Sequence, residues 1–163
     1  MIILIFCGRV FAEIKQIGVE LIHFYRHKLF SLLLYAYIAI SLAVASGYLY
    51  VMHRYNLFGI NDQKIEAFPV PYALLAIFVA PLVEEVLFRR ILFKTMKDHF
   101  SPFSAILYSS GLFALAHPPS SFIPVFCLGC LSASLYHKSN QIHQSILLHT
   151  FYNTCVCLIT IYK

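Results

Sequence analysis

Apolar residues run through this chain in long stretches separated by short polar punctuation. The cleanest stretch, Leu29 to Met52, carries no charge and closes on Tyr48 and Tyr50, residue types that favour a membrane interface. A second begins near Pro71 and continues towards Lys94 and Lys97, with Glu84-Glu85 and Arg89-Arg90 embedded in it. A third runs from about Phe103 to His117 and is stopped by Pro118-Pro119, since a proline pair cannot continue a helix. A fourth runs from about Phe122 to Tyr136, and a fifth from about Ser145 to Tyr162. The polar connections are 53–69, Asp98 to Pro102, and a turn at His137-Lys138-Ser139-Asn140-Gln141. At roughly 20 apolar residues per span, the pattern predicts an all-α polytopic membrane helix bundle of about five transmembrane helices.

Residues 1–28 follow a different period. Ile3, Phe6, Val10, Ile14, Ile17, Leu21 and Phe24 step by three and four, and Arg9, Glu13, Gln16, Glu20, His23 and His27 step likewise on the other face. That is the pattern of an amphipathic helix lying in the membrane interface. The chain therefore divides into an interfacial helix at 1–28, a first transmembrane helix and its loop at 29–69, and a membrane core at 70–163 that holds the unusual polar residues.

Composition sharpens this picture. Of 163 residues 60% are hydrophobic and 12% charged, with a mean hydropathy of +0.77. Soluble domains run nearer 45–50% and about 25%. The net charge of +5 does not indicate a nucleic-acid partner, because the basic residues sit at the ends of apolar runs. Arg26 and Lys28 precede the first span, Arg90, Lys94 and Lys97 follow the second, and Lys138 follows the fourth. By the positive-inside rule, the N-terminus and the turns at 98–102 and 137–144 face the cytoplasm, and the small size suits a prokaryotic plasma membrane. Cys7, Cys127, Cys130, Cys155 and Cys157 all lie in apolar surroundings and read as small apolar filler.

Charge inside a membrane helix costs about 2.5–3.5 kcal/mol per residue near the centre on insertion scales, so its default explanation is a function. Glu85 and Arg89 are spaced i, i+4 with the acid first, the favourable orientation for an ion pair. Glu84 points about 100° away and has no cation on its own helix, which leaves it free to act. His149 and Asn153 share one face of the fifth span, and His117 abuts the proline stop one turn after Phe113. His23, His27, His53, His99, His137 and His143 read as interfacial. A carboxylate, two histidines and an amide from three helices suit water-mediated amide hydrolysis. One histidine and Glu84 would deprotonate water, while the other histidine and Asn153 would donate hydrogen bonds to the oxyanion. No serine or cysteine has an evident base, and no His-Glu-x-x-His stretch exists. Zinc held by Glu84, His117 and His149 is the alternative on ligand chemistry.

Glu84-Glu85-x-x-x-Arg89, Phe113-x-x-x-His117 and His149-x-x-x-Asn153, in this order on successive apolar segments, resemble the three motifs of the CAAX protease and bacteriocin-processing (Abi) family. The resemblance covers about residues 70–160. It implies a glutamate-type intramembrane endopeptidase that needs no cofactor and acts on a membrane-anchored peptide or protein. By that resemblance, Glu84 and His117 activate water, His149 and Asn153 form the oxyanion hole, and Glu85 and Arg89 support the site. Rival readings are a non-catalytic immunity or binding protein on the same scaffold and a small transporter or proton relay. For Glu84, His117 and His149 to meet, the third helix must be short, start deep or tilt.

Overall fold

The computed structural model describes residues 32–54 and 70–161, and the expected interfacial helix at 1–28 lies outside the described residues. The described chain is an all-α membrane helix bundle. Five helices follow one another: α1 (Leu32–Arg54), α2 (residues 70–97), α3 (Pro102–Leu115), α4 (Phe122–Ser139) and α5 (Ile142–Ile161), with a single 3-10 turn at Pro119–Ser121 before α4. Each coincides with one of the apolar stretches read from the sequence. By length and composition, Pro71–Lys97 and Pro119–Ser139 are long and apolar enough to cross a bilayer, whereas the apolar helices at Leu32–Tyr48 and Pro102–Leu115 are shorter. With 14 residues, α3 is only about 21 Å long, well short of a hydrocarbon core of about 30 Å. The short third helix expected from the motif spacing is present.

Local chemistry sets the boundaries. The Ser101 hydroxyl accepts the Ser104 amide at 3.2 Å, and Pro102 opens α3, so the cap pairs one first-turn amide and the proline, which has no N–H, removes another that would lack a helical partner. At the other end α3 stops before Pro118. The α4–α5 turn is tighter than the sequence pattern suggested. Helix α4 continues through His137 and Lys138 to Ser139, Asn140 adopts a left-handed conformation (φ 52°) as its C-cap, and α5 starts at Ile142. Asparagine tolerates that conformation better than most residues. The early start places His149 about 10 Å into α5.

Helix α2 is not a uniform α-helix. It passes through π-helical segments at Leu75–Val79 and Val86–Phe93, on either side of the α-helical Ala80–Glu85. Its Tyr72, Leu74, Leu75, Phe78, Val79 and Val83 are exposed, an apolar surface suited to lipid.

Helix α4 is central and packs against all four others. One core layer joins Leu34 and Tyr37 of α1 to Phe113, Leu128, Leu148 and Tyr152. A second joins Val86 and Phe93 of α2 to Ala105, Ala133, Tyr136 and Ile142. Helices α3 and α4 approach closely at Gly129, where an added Cβ would lie 3.0 Å from Ser110 Cβ and 3.2 Å from Phe113 Cδ1. The basic ends of α2 and α4 gather on one side. The Phe93 ring lies 6.1 Å from that of His137, and Lys138 Nζ lies 5.7 Å from the Tyr37 ring centre. Not every histidine outside the motifs is interfacial, for His143 is buried in the first turn of α5 while His99 and His137 are exposed.

Candidate active site

Adjacent residues on α2 deliver their carboxylates to two different layers. Glu85 is wholly buried. It accepts a hydrogen bond from Arg89 Nε at 3.1 Å, one turn along the helix, and another from the Ser132 hydroxyl on α4. Its other oxygen lies 3.0 Å from His149 Nδ1 on α5. Arg89 Nε also donates to Ser132 Oγ at 3.2 Å. The Arg89 Nη1 and Nη2 groups have no hydrogen-bond partner among the described residues, and the guanidinium lies over the Phe113 ring at 4.9 Å, a cation–π contact in a site without bulk water. The i, i+4 pair read from the sequence is present, and two further helices complete its shell.

Glu84 occupies the other layer, with its side chain 29% exposed. One carboxylate oxygen lies 3.8 Å from His117 Nε2 and 3.7 Å from His149 Nε2. Residues from α2, α5 and the turn that follows α3 thus converge on one oxygen, with gaps too long for direct hydrogen bonds and short enough to be closed by a single shared water.

The ring orientations follow from their second nitrogens. His117 Nδ1 lies 2.8 Å from the Phe113 carbonyl. A carbonyl only accepts, so Nδ1 carries a hydrogen and the neutral ring turns the Nε2 lone pair towards Glu84. His149 Nδ1 faces the Glu85 carboxylate in the same way. Phe113 is fully buried and meets both imidazoles edge-on, at 4.7 Å for His117 and 5.6 Å for His149, with Phe88 against it at 5.0 Å. One phenylalanine therefore fixes His117 through its carbonyl and walls both rings through its side chain, which is a physical reason for the Phe-x-x-x-His spacing.

Asn153 lies one turn beyond His149. The two have different partners, for Asn153 Nδ2 donates to the Ala76 carbonyl of α2 at 2.8 Å. Among the described residues no group of three His, Cys, Asp or Glu side chains is placed to hold a metal ion. The four described cysteines are free and partly buried. Two participants carried no sequence signal. Ser132 is one serine among several in apolar helices, and the Ala76 carbonyl is backbone.

A family model described as "Type II CAAX prenyl endopeptidase Rce1-like" matches residues 66–155, a segment that includes every one of these site residues. A protein of Bacillus subtilis (strain 168) named "Putative membrane peptidase YdiL" is 29% identical over 115 residues, 64% of this chain and 47% of that protein. The chain thus matches about half the length of that relative. No solved structure matches the chain.

Proposed function

Because the chain belongs to the Rce1-like type II CAAX prenyl endopeptidase family, we propose that it is a glutamate-type intramembrane endopeptidase in which Glu84 and His117 activate water. The substrate is a membrane-associated protein or peptide. The observation that carries this reading is the convergence of His117 Nε2 and His149 Nε2 on one Glu84 oxygen, at 3.8 and 3.7 Å. A water in that gap donates its hydrogens to Glu84 and to the His117 lone pair and turns an oxygen lone pair to a substrate carbonyl. As the carbon–oxygen bond forms, Glu84 takes a proton as general base. When the carbon–nitrogen bond breaks, that proton passes to the departing amine.

The oxyanion is received by the other side of the site. His149 gives its Nδ1 hydrogen to Glu85, so it donates from Nε2 when the ring carries both protons. Asn153 Nδ2 has two hydrogens, one of which the Ala76 carbonyl occupies, and the second is free for the oxyanion. Glu85, Arg89 and Ser132 hold His149 in place. The exposed edge of Glu84 and His117 is the side from which a peptide enters. By the positive-inside rule, the basic ends of α2 and α4 face the cytoplasm of a prokaryotic cell.

Cleavage in membranes tests this reading. The chain is co-expressed with C-terminally anchored and prenylated candidate substrates, and wild type is compared with Glu84→Ala and His117→Ala, with and without a chelator. Loss of cleavage in both variants with no effect of chelator is the expected result. Inhibition by chelator that zinc reverses would replace the glutamate mechanism with a zinc one. A wild-type phenotype that survives Glu84→Ala would replace catalysis with immunity or binding.

A further inference from the structure

We propose that Asn153 is also a positioning residue, which closes a backbone break made by Pro81 and thereby holds the Glu84-Glu85 turn against His149. The break follows from hydrogen-bond connectivity. In an α-helix the Ala76 carbonyl accepts the amide of residue 80, and in a π-helix that of residue 81. Here the Ala80 N–H donates to Leu75, and residue 81 is proline, which has no N–H. Neither helical position supplies a donor. A carbonyl stranded inside a membrane bundle is costly unless a neighbouring helix answers it. Asn153 Nδ2 does so from α5 at 2.8 Å.

This bond joins the same pair of helices as the His149–Glu85 contact. His149 Nδ1 meets Glu85 at 3.0 Å on the C-terminal side of Pro81, and Asn153 meets Ala76 on its N-terminal side. The glutamates lie on the short α-helical segment Ala80–Glu85, with a π-helical segment at each end. Rigid placement of that segment therefore depends on what grips its flanks. The tie to Ala76 uses one of two hydrogens on Nδ2, so it coexists with the oxyanion role proposed above. The positional effect on catalysis rests on that peptidase reading, whereas the repair of the break does not.

The test is a double-mutant cycle on the full chain, with Asn153→Ala, Pro81→Ala and both together. Alanine at 81 returns an amide hydrogen to the helix, so Ala76 regains a donor of its own. Asn153→Ala is expected to lower the thermal midpoint in detergent by on the order of 5 °C when Pro81 is present, and by less than half as much when it is replaced. The cleavage rate lost with Asn153→Ala should be partly regained in the double variant, by about 3-fold or more, a rescue that loss of an oxyanion donor alone does not allow. Equal thermal losses in the two backgrounds would overturn the proposal. If Asn153→Ala does not fold beside Pro81, the cycle is run with Asn153→Ser, and equal losses there would overturn it as well. Should the wild type cleave nothing, the thermal cycle still decides the repair of the break, and only the peptidase reading fails.

Discussion

Glu85 and Glu84 are neighbours on α2, yet one ends in a sealed layer of short hydrogen bonds and the other in a half-open gap. Glu85, Arg89 and Ser132 are fully or almost fully buried, with bonds of 3.0–3.2 Å to Arg89 Nε, His149 Nδ1 and between Arg89 and Ser132. Around Glu84 the approaches are 3.7 and 3.8 Å, and Glu84 and His117 are 29% and 26% exposed. Buried charge is tolerated only when paired and hydrogen-bonded, so the sealed layer satisfies the charges its own residues bring. The open layer leaves room for something other than protein. His149 belongs to both, with one nitrogen in each. Glu85 thereby orients the histidine that faces Glu84.

The widest separation between the layers comes from changing one glutamate at a time. Glu84→Gln keeps size and removes the proposed base, so cleavage should fall by about 10²–10⁴-fold while the thermal midpoint stays close to wild type. A variant that cleaves normally would move the base elsewhere. Glu85→Ala should do the reverse in character. It leaves Arg89 buried without its anion, a change that costs about 3–5 kcal/mol, and the protein should unfold early in detergent before any rate is informative. If Glu85→Ala keeps wild-type stability and loses only turnover, the layers are not divided as described.

Ser132→Ala sharpens the comparison on a smaller scale. Its hydroxyl donates to Glu85 and accepts from Arg89 Nε. Removing it withdraws a bond to each member of a charged pair that itself remains, and a hydrogen bond to a charged group is worth about 1.5–3 kcal/mol. The expected signature is lowered stability with a small loss of cleavage rate, read from detergent unfolding and substrate titration on the same preparation. A rate loss as large as that of Glu84→Gln would place Ser132 in the chemistry.

Much of this arrangement is legible in the sequence. The five helices follow from apolar runs with abrupt polar ends, and the Glu85–Arg89 pair follows from i, i+4 spacing. What escaped is instructive. Ser41, Ser109, Ser139 and Thr154 turn their hydroxyls back to carbonyls of their own helices, the ordinary habit of such residues in apolar helices. Nothing in the chain marks Ser132 as different, because its partners come from tertiary packing. His149 and Asn153 share a face, but the partner of Asn153 is a carbonyl that no side-chain pattern reveals. Pro81 was visible, and its missing amide is the trace that leads to Ala76. The sequence pattern makes the α4–α5 turn too long because its polar residues resemble a loop, whereas Asn140 ends the helix in a single left-handed residue.

The mildest perturbation reaches the site through packing alone. Gly129 brings no side chain to either layer, but a methyl there would stand 3.2 Å from Ser110 Cα and from Phe113 Cδ1, and 3.0 Å from Ser110 Cβ. Two of these contacts belong to Ser110, one of them to backbone, so α3 must move as a body by a few tenths of an ångström. Phe113 moves with it, and its carbonyl and ring are what orient His117. Gly129→Ala should therefore cost about 1 kcal/mol of stability, at the low end for overpacking. It should lower cleavage several-fold with little change in substrate affinity, because the shift falls on the open layer and leaves Glu85, Arg89 and Ser132 paired. The comparison predicts a direction as well as a size. If Gly129→Ala weakened the sealed layer more than turnover, the two layers would be mechanically one.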